Sequence, residues 1–519
     1  MSLPQFLTRI HNAAGPLLGG LAESELGERL SATSLLLEID EAPAADPGQR
    51  AGYLLAANLG ARLYPRLSLD APADLSEEAS RLARRVNPDC EFGQPRGRPL
   101  TLSWRGGDAD ADRVTVAAES WNLALDGADA ATEPAAPPAA MAAAALGIGE
   151  LFRTLFADLL AHGRTIPAPF VLNLITLGEP TAVPALPESV ELGEVHLAGC
   201  GAIGQAVAAT LRELPVTGTL YAVDHDTLDE GNLQRYLLAG ATDLGSSKPA
   251  LIERVFAEHP LAVEPVESKW GTDPRSAPGR ETVLAALDTK QGRIDLQAGL
   301  PRELFNAWTQ PADLGVSRHQ AFGQAPCLAC LGWPRHSQPS RSAMIAESLQ
   351  EHELRVVIYL GTGLPVGQPL PGPLRGTRRL PLPEDAGTWS ERSLLDDLIE
   401  RFELPRAEFE PLGGLGIAAL YRDAVCAGML IEHGTEREAE VSVPLAHQSA
   451  LAGILLAAAL VVDRVPALRE LRPEATLAKY DVLRGGEQHW PRPRDRYARC
   501  ICADDDFLTA HRKLWANAT

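Results

Sequence analysis

The sequence predicts an α/β protein built on a mostly parallel, doubly wound sheet and preceded by a second α/β region. Three observations carry this expectation. From Glu194 onward, apolar strand-like runs alternate with helix-length segments, the pattern of a parallel sheet covered on both faces. The stretch "VHLAGCGAIGQAV" reads as strand, glycine turn and helix start, with Gly199, Gly201 and Gly204 in G-x-G-x-x-G spacing. An acid, Asp224, lies twenty residues beyond Gly204 at the end of the next strand.

Taken in order, residues 1–187 form a first region. "TSLLLEID", "PLTLSW" and "VTVAAESWNLAL" read as strands, and "GYLLAANLGARLY" and "AAAALGIGELFRTLFADLLAHG" as helices, by length and apolar spacing. "DGADAATEPAAPPAA" is a low-complexity, exposed loop. This region has no glycine-rich turn, no nucleophile elbow and no metal pattern. A proline-rich connector, "GEPTAVPALPESVELG", leads into residues 188–335. There the helices "AVAATLREL" and "KPALIERVFAEH" alternate with the strands "TLYAVD" and "AVEPVES". A further helix is expected before the strand "TVLAAL". Residues 336–425 differ in texture and read as an insertion, with a strand at "LRVVIYL", a Gly/Pro-rich segment and an amphipathic helix at "SERSLLDDLIERFEL". In residues 426–519 the helix "HQSALAGILLAAALVVDRV" returns to the core, and the tail carries "RYARCICADDDF". No internal repeat is visible in the residues themselves.

Composition narrows the function classes. A chain of 519 residues is too long for one core, so two or three domains are expected. A net charge of -21 argues against a nucleic-acid partner and gives no help on an anionic membrane. The N-terminus lacks a charged segment followed by an apolar core, and the apolar run from Ser449 to Val462 is too short to span a bilayer. A cytoplasmic address is expected. Seven cysteines are too few for a disulfide scaffold and are better read as metal ligands, nucleophiles or core residues.

A helix N-terminus behind a glycine turn binds any phosphate, so Gly199, Gly201, Ala202, Ile203 and Gly204 leave the ligand open. Asp224 would hold a ribose hydroxyl of NAD or of ATP alike. Residues downstream break the tie. Asn232, Arg235 and Lys248 follow the ribose acid, and hydride transfer has no need of two cations there. Cleaving ATP between its α and β phosphates does need them, because charge develops on pyrophosphate. Asp288 ends the fourth strand at the edge where ligands bind, and a lone carboxylate there suits Mg²⁺. Asp226 either joins this site or caps the loop. Arg293 either serves the site or is a structural partner of a carboxylate.

Together, G-x-G-x-x-G, D-x-D, N-x-x-R, the lysine and D-x-x-x-x-R resemble the adenylation domain of the ubiquitin-activating-enzyme family, which includes the adenylyltransferases of thiamine and molybdopterin biosynthesis. The resemblance covers roughly residues 190 to 335, 415 to 465 and the cysteine tail. It implies a Rossmann-like adenylation domain in which Asp224 holds the ribose. Asn232, Arg235 and Lys248 hold the triphosphate, and Asp288 binds Mg²⁺. The first region is then expected to be a degenerate, inactive copy of the same fold.

Cys327 and Cys330 form C-x-x-C, and Cys500 and Cys502 form C-x-C. Four thiolates in two close pairs suit tetrahedral Zn²⁺. The resemblance adds weight, since many members carry a four-cysteine zinc site, although their second pair is usually C-x-x-C. Cys426 reads either as a small buried hydrophobe or as a nucleophile. The resemblance implies the nucleophile, with Arg422 nearby to favour the thiolate. Cys200 is expected to pack inside the turn, and Cys90 has no visible partner.

The resemblance implies an activating enzyme like those of bacterial antiviral operons. Such an enzyme adenylates a ubiquitin-like protein, forms a thioester on Cys426 and passes it to a conjugating-enzyme-like partner. A homodimer is expected. The alternatives are a sulfur-carrier or peptide adenylyltransferase with no conjugating partner, and a non-enzymatic, nucleotide-gated scaffold.

Overall fold

The computed structural model describes residues 21–332, 341–370, 388–421 and 445–516, apart from short stretches at 107–109, 111, 127–132, 161–168, 311–312, 403, 474–475, 482–489 and 493–494. It also describes Leu7, Ile10, His11, Ala14 and Leu18. Two compact units emerge, one of residues 1–333 with 442–519 and one of residues 334–441.

The larger unit holds two sheets. The first is built from β1 (Thr33–Glu38), α2 (Pro47–Ala61), β2 (Arg66–Asp70), α3 (Ala73–Val86), β3 (Glu91–Phe92), β4 (Arg98–Ser103), β5 (Arg113–Glu119), β6 (Asn122–Leu125), α4 (Pro137–Leu155) and β7 (Phe170–Asn173), with α1 (Glu23–Ser31) leading in. Its strand order is β3-β2-β1-β4-β5-β6-β7. The pairs from β3 to β5 are parallel, and β5–β6 and β6–β7 are antiparallel. The expected strand "VTVAAESWNLAL" is therefore two strands, broken at Ser120, which takes a left-handed φ of 52°.

The second sheet repeats this plan. It contains β8 (Val190–Ala198), α5 (Ala202–Arg212), β9 (Val216–Val223), α6 (Lys248–Val255), β10 (Leu261–Val266), β11 (Thr282–Ala285), α7 (Lys290–Ala298), β12 (Glu303–Thr309), β13 (Asp313–His319), α8 (Leu328–Gly332), α9 (Ala446–Arg464), β14 (Leu477–Asp481), β15 (Trp490–Arg492) and the terminal helix α10 (Asp505–Trp515). The order β10-β9-β8-β11-β12-β13-β14-β15 keeps the same directions, parallel as far as β12 and antiparallel beyond. Each strand from β1 to β7 thus has a counterpart from β8 to β14. α2 corresponds to α5 and α4 to α9. The chain carries one mixed α/β fold twice, although its residues show no repeat. The helix expected between β10 and β11 is absent. Pro274, Pro278 and two glycines of positive φ, Gly271 and Gly279, leave only a short 3₁₀ turn there.

α4 and α9 lie where the halves meet and pack on each other. They are alanine-rich and buried almost throughout. α9 is long and apolar enough to cross a membrane, but its burial in this unit marks it as a core helix. Small residues let these helices come close. In the first half, a Cβ on Gly52 of α2 would meet Ala140 O of α4 at 2.7 Å. In the second, a Cβ on Gly453 of α9 would meet Ile203 O of α5 at 2.6 Å.

The smaller unit has its own core, with Val356, Tyr359, Trp389, Leu394, Leu398 and Phe409 among its buried residues. The stretch "LRVVIYL", expected as a strand, lies in the helix Glu353–Thr362. His352 caps its start by accepting from Leu354 N, and Gly363 ends it in the left-handed conformation. The β-branched run suggested a strand, but Val356 and Tyr359 are buried while Val357 is exposed, which is helical periodicity.

Gly453→Ala is expected to lower the stability of the larger unit by about 1–3 kcal/mol, because the methyl meets backbone. Gly361→Ala, in the helix Glu353–Thr362 and with open space at its Cβ, is expected to be neutral or to stabilise by up to about 1 kcal/mol. Thermal unfolding of the two variants beside the parent checks both.

Candidate functional site

The glycine turn sits between the ends of β8 and β11. Gly199 has φ +98°, and a Cβ on it would lie 2.7 Å from Ala286 O. A Cβ on Gly204 would lie 2.1 Å from Gly199 O, so only glycine lets the chain close this tightly. Gly201 is the N-cap of α5 and offers no side chain to the helix start. The amides of Ala202, Ile203 and Gly204 therefore have no acceptor within the helix. Cys200 packs inside the turn, where burial pushes its thiol well up.

Asp224 ties the turn to the next strand. One carboxylate oxygen accepts from Cys200 N at 2.8 Å and the other from Asp226 N at 3.0 Å. Each oxygen keeps a further lone pair for a ligand. Asp226 accepts from Lys248 Nζ at 2.8 Å, and this bond holds its carboxyl below the usual range. Burial opposes the Lys248 charge, but Tyr236, Asp226 and Asp224 outweigh it and raise the ammonium above its ordinary value. Lys248 is thus a buried, permanent cation at the start of α6. Asp226 thereby anchors Lys248 from the loop after β9.

Tyr236 was not singled out in the sequence, although it directly follows Arg235. Its hydroxyl lies 3.3 Å from the Cβ position of Gly201, so the ring borders the turn. Lys248 Nζ and Arg235 Cζ each lie 5.5 Å from its ring centre. Asn232 is occupied locally. It caps a 3₁₀ turn reciprocally with Asp229, accepting from Asp229 N and donating its own N–H to Asp229 Oδ1. Asp288 stands exposed on the loop after β11, two residues beyond Ala286. Arg293 is anchored to β12 through Asn306 Oδ1 at 3.0 Å and Ala307 O at 3.3 Å, not by a carboxylate. Among the described residues, the acidic groups close enough to share an ion here are Asp224 and Asp226, with His225 beside them. Asp288 stands outside that group. Cys426 and Arg422 lie outside the described residues.

The first half answers the same positions differently. Where the second half has Gly201 at the helix start, the first half has the capping carboxylate Asp46. One of its oxygens accepts from Gln49 N in the first turn of α2 at 2.8 Å, and the other from Ala135 N at 3.1 Å. Asp70 ends β2 much as Asp224 follows β9, but it is held by Arg105 at 2.6 Å. The N-terminus of α2 thus carries a capping carboxylate of its own.

The two cysteine pairs come together across 172 and 173 positions of sequence. Cys327 and Cys500 sulfurs are 3.5 Å apart, Cys330 and Cys502 3.5 Å, and Cys327 and Cys330 4.0 Å. A tetrahedral zinc with Zn–S of about 2.3 Å sets sulfur edges of roughly 3.8 Å, which these distances bracket. The tighter C-x-C spacing works because Ile501–Ala503 forms a 3₁₀ turn, so both sulfurs face inward. Tyr497 N donates to Cys330 Sγ at 3.4 Å, the supporting contact expected around a thiolate ligand. Hydrogen bonding with Cys327 pulls the Cys330 thiol down to about 7. Cys90 stays apart and buried, its thiol pushed up to about 12 by desolvation.

No family model matches the chain. It is 31% identical, over 543 aligned positions, to the "Uncharacterized protein y4jF" of Sinorhizobium fredii (strain NBRC 101917 / NGR234), covering 100% of this chain and 98% of that one. The chain belongs to the y4jF family. Among solved structures, it is similar to E. coli MccB at 12% identity and a TM-score of 0.35, covering 76% of this chain and 95% of that one. MccB with ATP gives 14% identity and a TM-score of 0.25, covering 42% and 75%. PaaA gives 14% and 0.21, covering 43% and 64%.

For this y4jF-family chain, elemental analysis of protein purified without added chelator is expected to find about one tetrahedral transition ion per molecule. Cys502→Ser is expected to lose it, and Cys90→Ser to retain it.

Proposed function

We propose that this protein spends ATP to adenylate the C-terminal carboxylate of a ubiquitin-like protein. The acyl group then passes to Cys426 as a thioester, for delivery to a conjugating-enzyme-like partner in bacterial antiviral defence. One observation carries the reading: an open helix N-terminus with two cations, Lys248 and Arg235, gathered around Tyr236 at its mouth. Phosphates need both features, whereas a nicotinamide ring needs neither.

In the first step a carboxylate oxygen attacks the α phosphorus. The bond from that phosphorus to the bridging oxygen breaks, and pyrophosphate leaves with the electron pair. The amides of Ala202, Ile203 and Gly204 favour the phosphate charge at the turn, and Asp224 orients the ribose. Arg235 and Lys248 offset the charge that grows on pyrophosphate. Lys248 rests on Asp226 until phosphate competes for it. Asp288 would hold Mg²⁺, which would supply further charge neutralisation for the phosphates. In the second step the Cys426 thiolate attacks the acyl carbon, and AMP leaves. Zn²⁺ at the four cysteines would be structural, tying the chain's tail to α8.

Carrier-dependent exchange of labelled pyrophosphate into ATP tests the first step. Lys248→Met and Asp288→Ala are each expected to lower that exchange by about 100-fold or more. Exchange at the parent rate in both would defeat the assignment. Cys426→Ala is expected to keep exchange and to lose the thiol-sensitive carrier adduct on non-reducing gels. An adduct that persists in that variant would favour adenylation without a thioester.

A further inference from the structure

The segment that carries Arg235 and Tyr236 is held from the other half of the chain. Arg62 follows α2 and is fully buried. Its Nη2 donates to Tyr236 O at 2.8 Å, its Nη1 donates to Leu233 O, and its Nε donates to Asn58 Oδ1 at 2.9 Å. Asn58 Nδ2 in turn donates to Leu237 O at 3.0 Å. Arg85 of α3 donates to Leu238 O at 2.8 Å and pairs with Asp243 at 2.9 Å. From the opposite side, Gln205, next to Gly204 on α5, accepts from Leu238 N at 3.0 Å. At the end of the segment a Cβ on Gly240 would lie 2.6 Å from Arg85 O, so the two backbones nearly touch.

This arrangement is unusual in its electrostatics. Arg62 is a buried cation whose contacts among the described residues are carbonyls and an amide oxygen rather than a carboxylate. Burying such a charge is costly, and it lowers the guanidinium to about 9. What the cation gains is a cluster of carbonyl oxygens at the end of a helical turn, the negative pole that a guanidinium fork fits. The consequence falls on Tyr236 in the same turn, whose ring borders the glycine loop and carries Arg235 against it.

We infer that the first half of the chain serves the nucleotide site as a positioning platform, with Arg62 and Asn58 holding the 232–238 turn in the conformation that presents Arg235 and Tyr236 to phosphate. Arg62 touches no ligand and is a positioning residue. This gives the copy whose helix start is capped by Asp46 a function in the reaction of the other copy. The inference rests on the reading of that site as one for ATP.

The test uses the full chain and two readouts. Hydrogen exchange of the apo protein is measured in Arg62→Lys, Arg62→Met and Asn58→Ala. Amides 233–238 are expected to exchange at least tenfold faster in each, while β8 and β9 keep parent protection. Lysine is expected to fail because it cannot supply the fork. Mg·ATP affinity is then measured by calorimetry, with a weakening of about tenfold expected. Unchanged exchange at 233–238 would overturn the inference, and so would faster exchange with unchanged affinity. Should the Arg62 variants fail to fold, Asn58→Ala alone decides by the same criteria. Parent protein that binds no Mg·ATP would defeat the ATP reading, and the exchange data would still decide whether Arg62 and Asn58 hold the turn.

Discussion

The close approach of Gly204 to Gly199 governs the geometry of the second half. With a Cβ at Gly204 only 2.1 Å from Gly199 O, α5 could not start where it does. Its start sets the level at which α9 packs behind it, and Gly453 in α9 lets that helix come against Ile203 and Val207. The same closure aims the first amides of α5 outward and places Cys200 N against Asp224. Strand ends, helix packing and the open amides thus follow from one turn that no larger residue can make.

The duplicated fold shows how two copies of one architecture can differ in chemistry. A helix N-terminus must satisfy its amides with a side chain, with water or with a ligand. In the first half the Asp46 side chain accepts from Gln49 N, and Pro47 at the first helical position has no N–H to satisfy. In the second half Gly201 does not, and the positive end of α5 remains available. The acids at the ends of β2 and β9 also differ, Asp70 pairing with Arg105 and Asp224 accepting from backbone amides of the turn and the following loop.

Much of this was legible in the sequence, for identifiable reasons. The second half announces itself through local signals, because glycine spacing, strand length and C-x-x-C are each set within a few residues. The cysteine cluster was readable because each pair is local, even though the pairs meet across the chain. What stayed hidden depends on distance in sequence. Arg62 reaches Leu233 across 171 positions, and nothing near Arg62 marks it as more than a surface cation. The repeat was hidden because the halves share strand order and direction rather than residues. Local signals also misled. The β-branched run at 356–358 outweighed a helix that was betrayed only by its His352 cap and Gly363 stop. The expected helix before β11 ignored two prolines.

On the proposed function, one copy binds nucleotide and the other, capped by Asp46, does not. Calorimetric titration of the parent protein with Mg·ATP tests this most directly, through the stoichiometry. The account predicts about one nucleotide per chain, carried by the helix N-terminus that lacks a capping carboxylate. Two nucleotides per chain would show that Asp46 does not close the first copy, and none would remove the basis for reading the glycine turn as an ATP site.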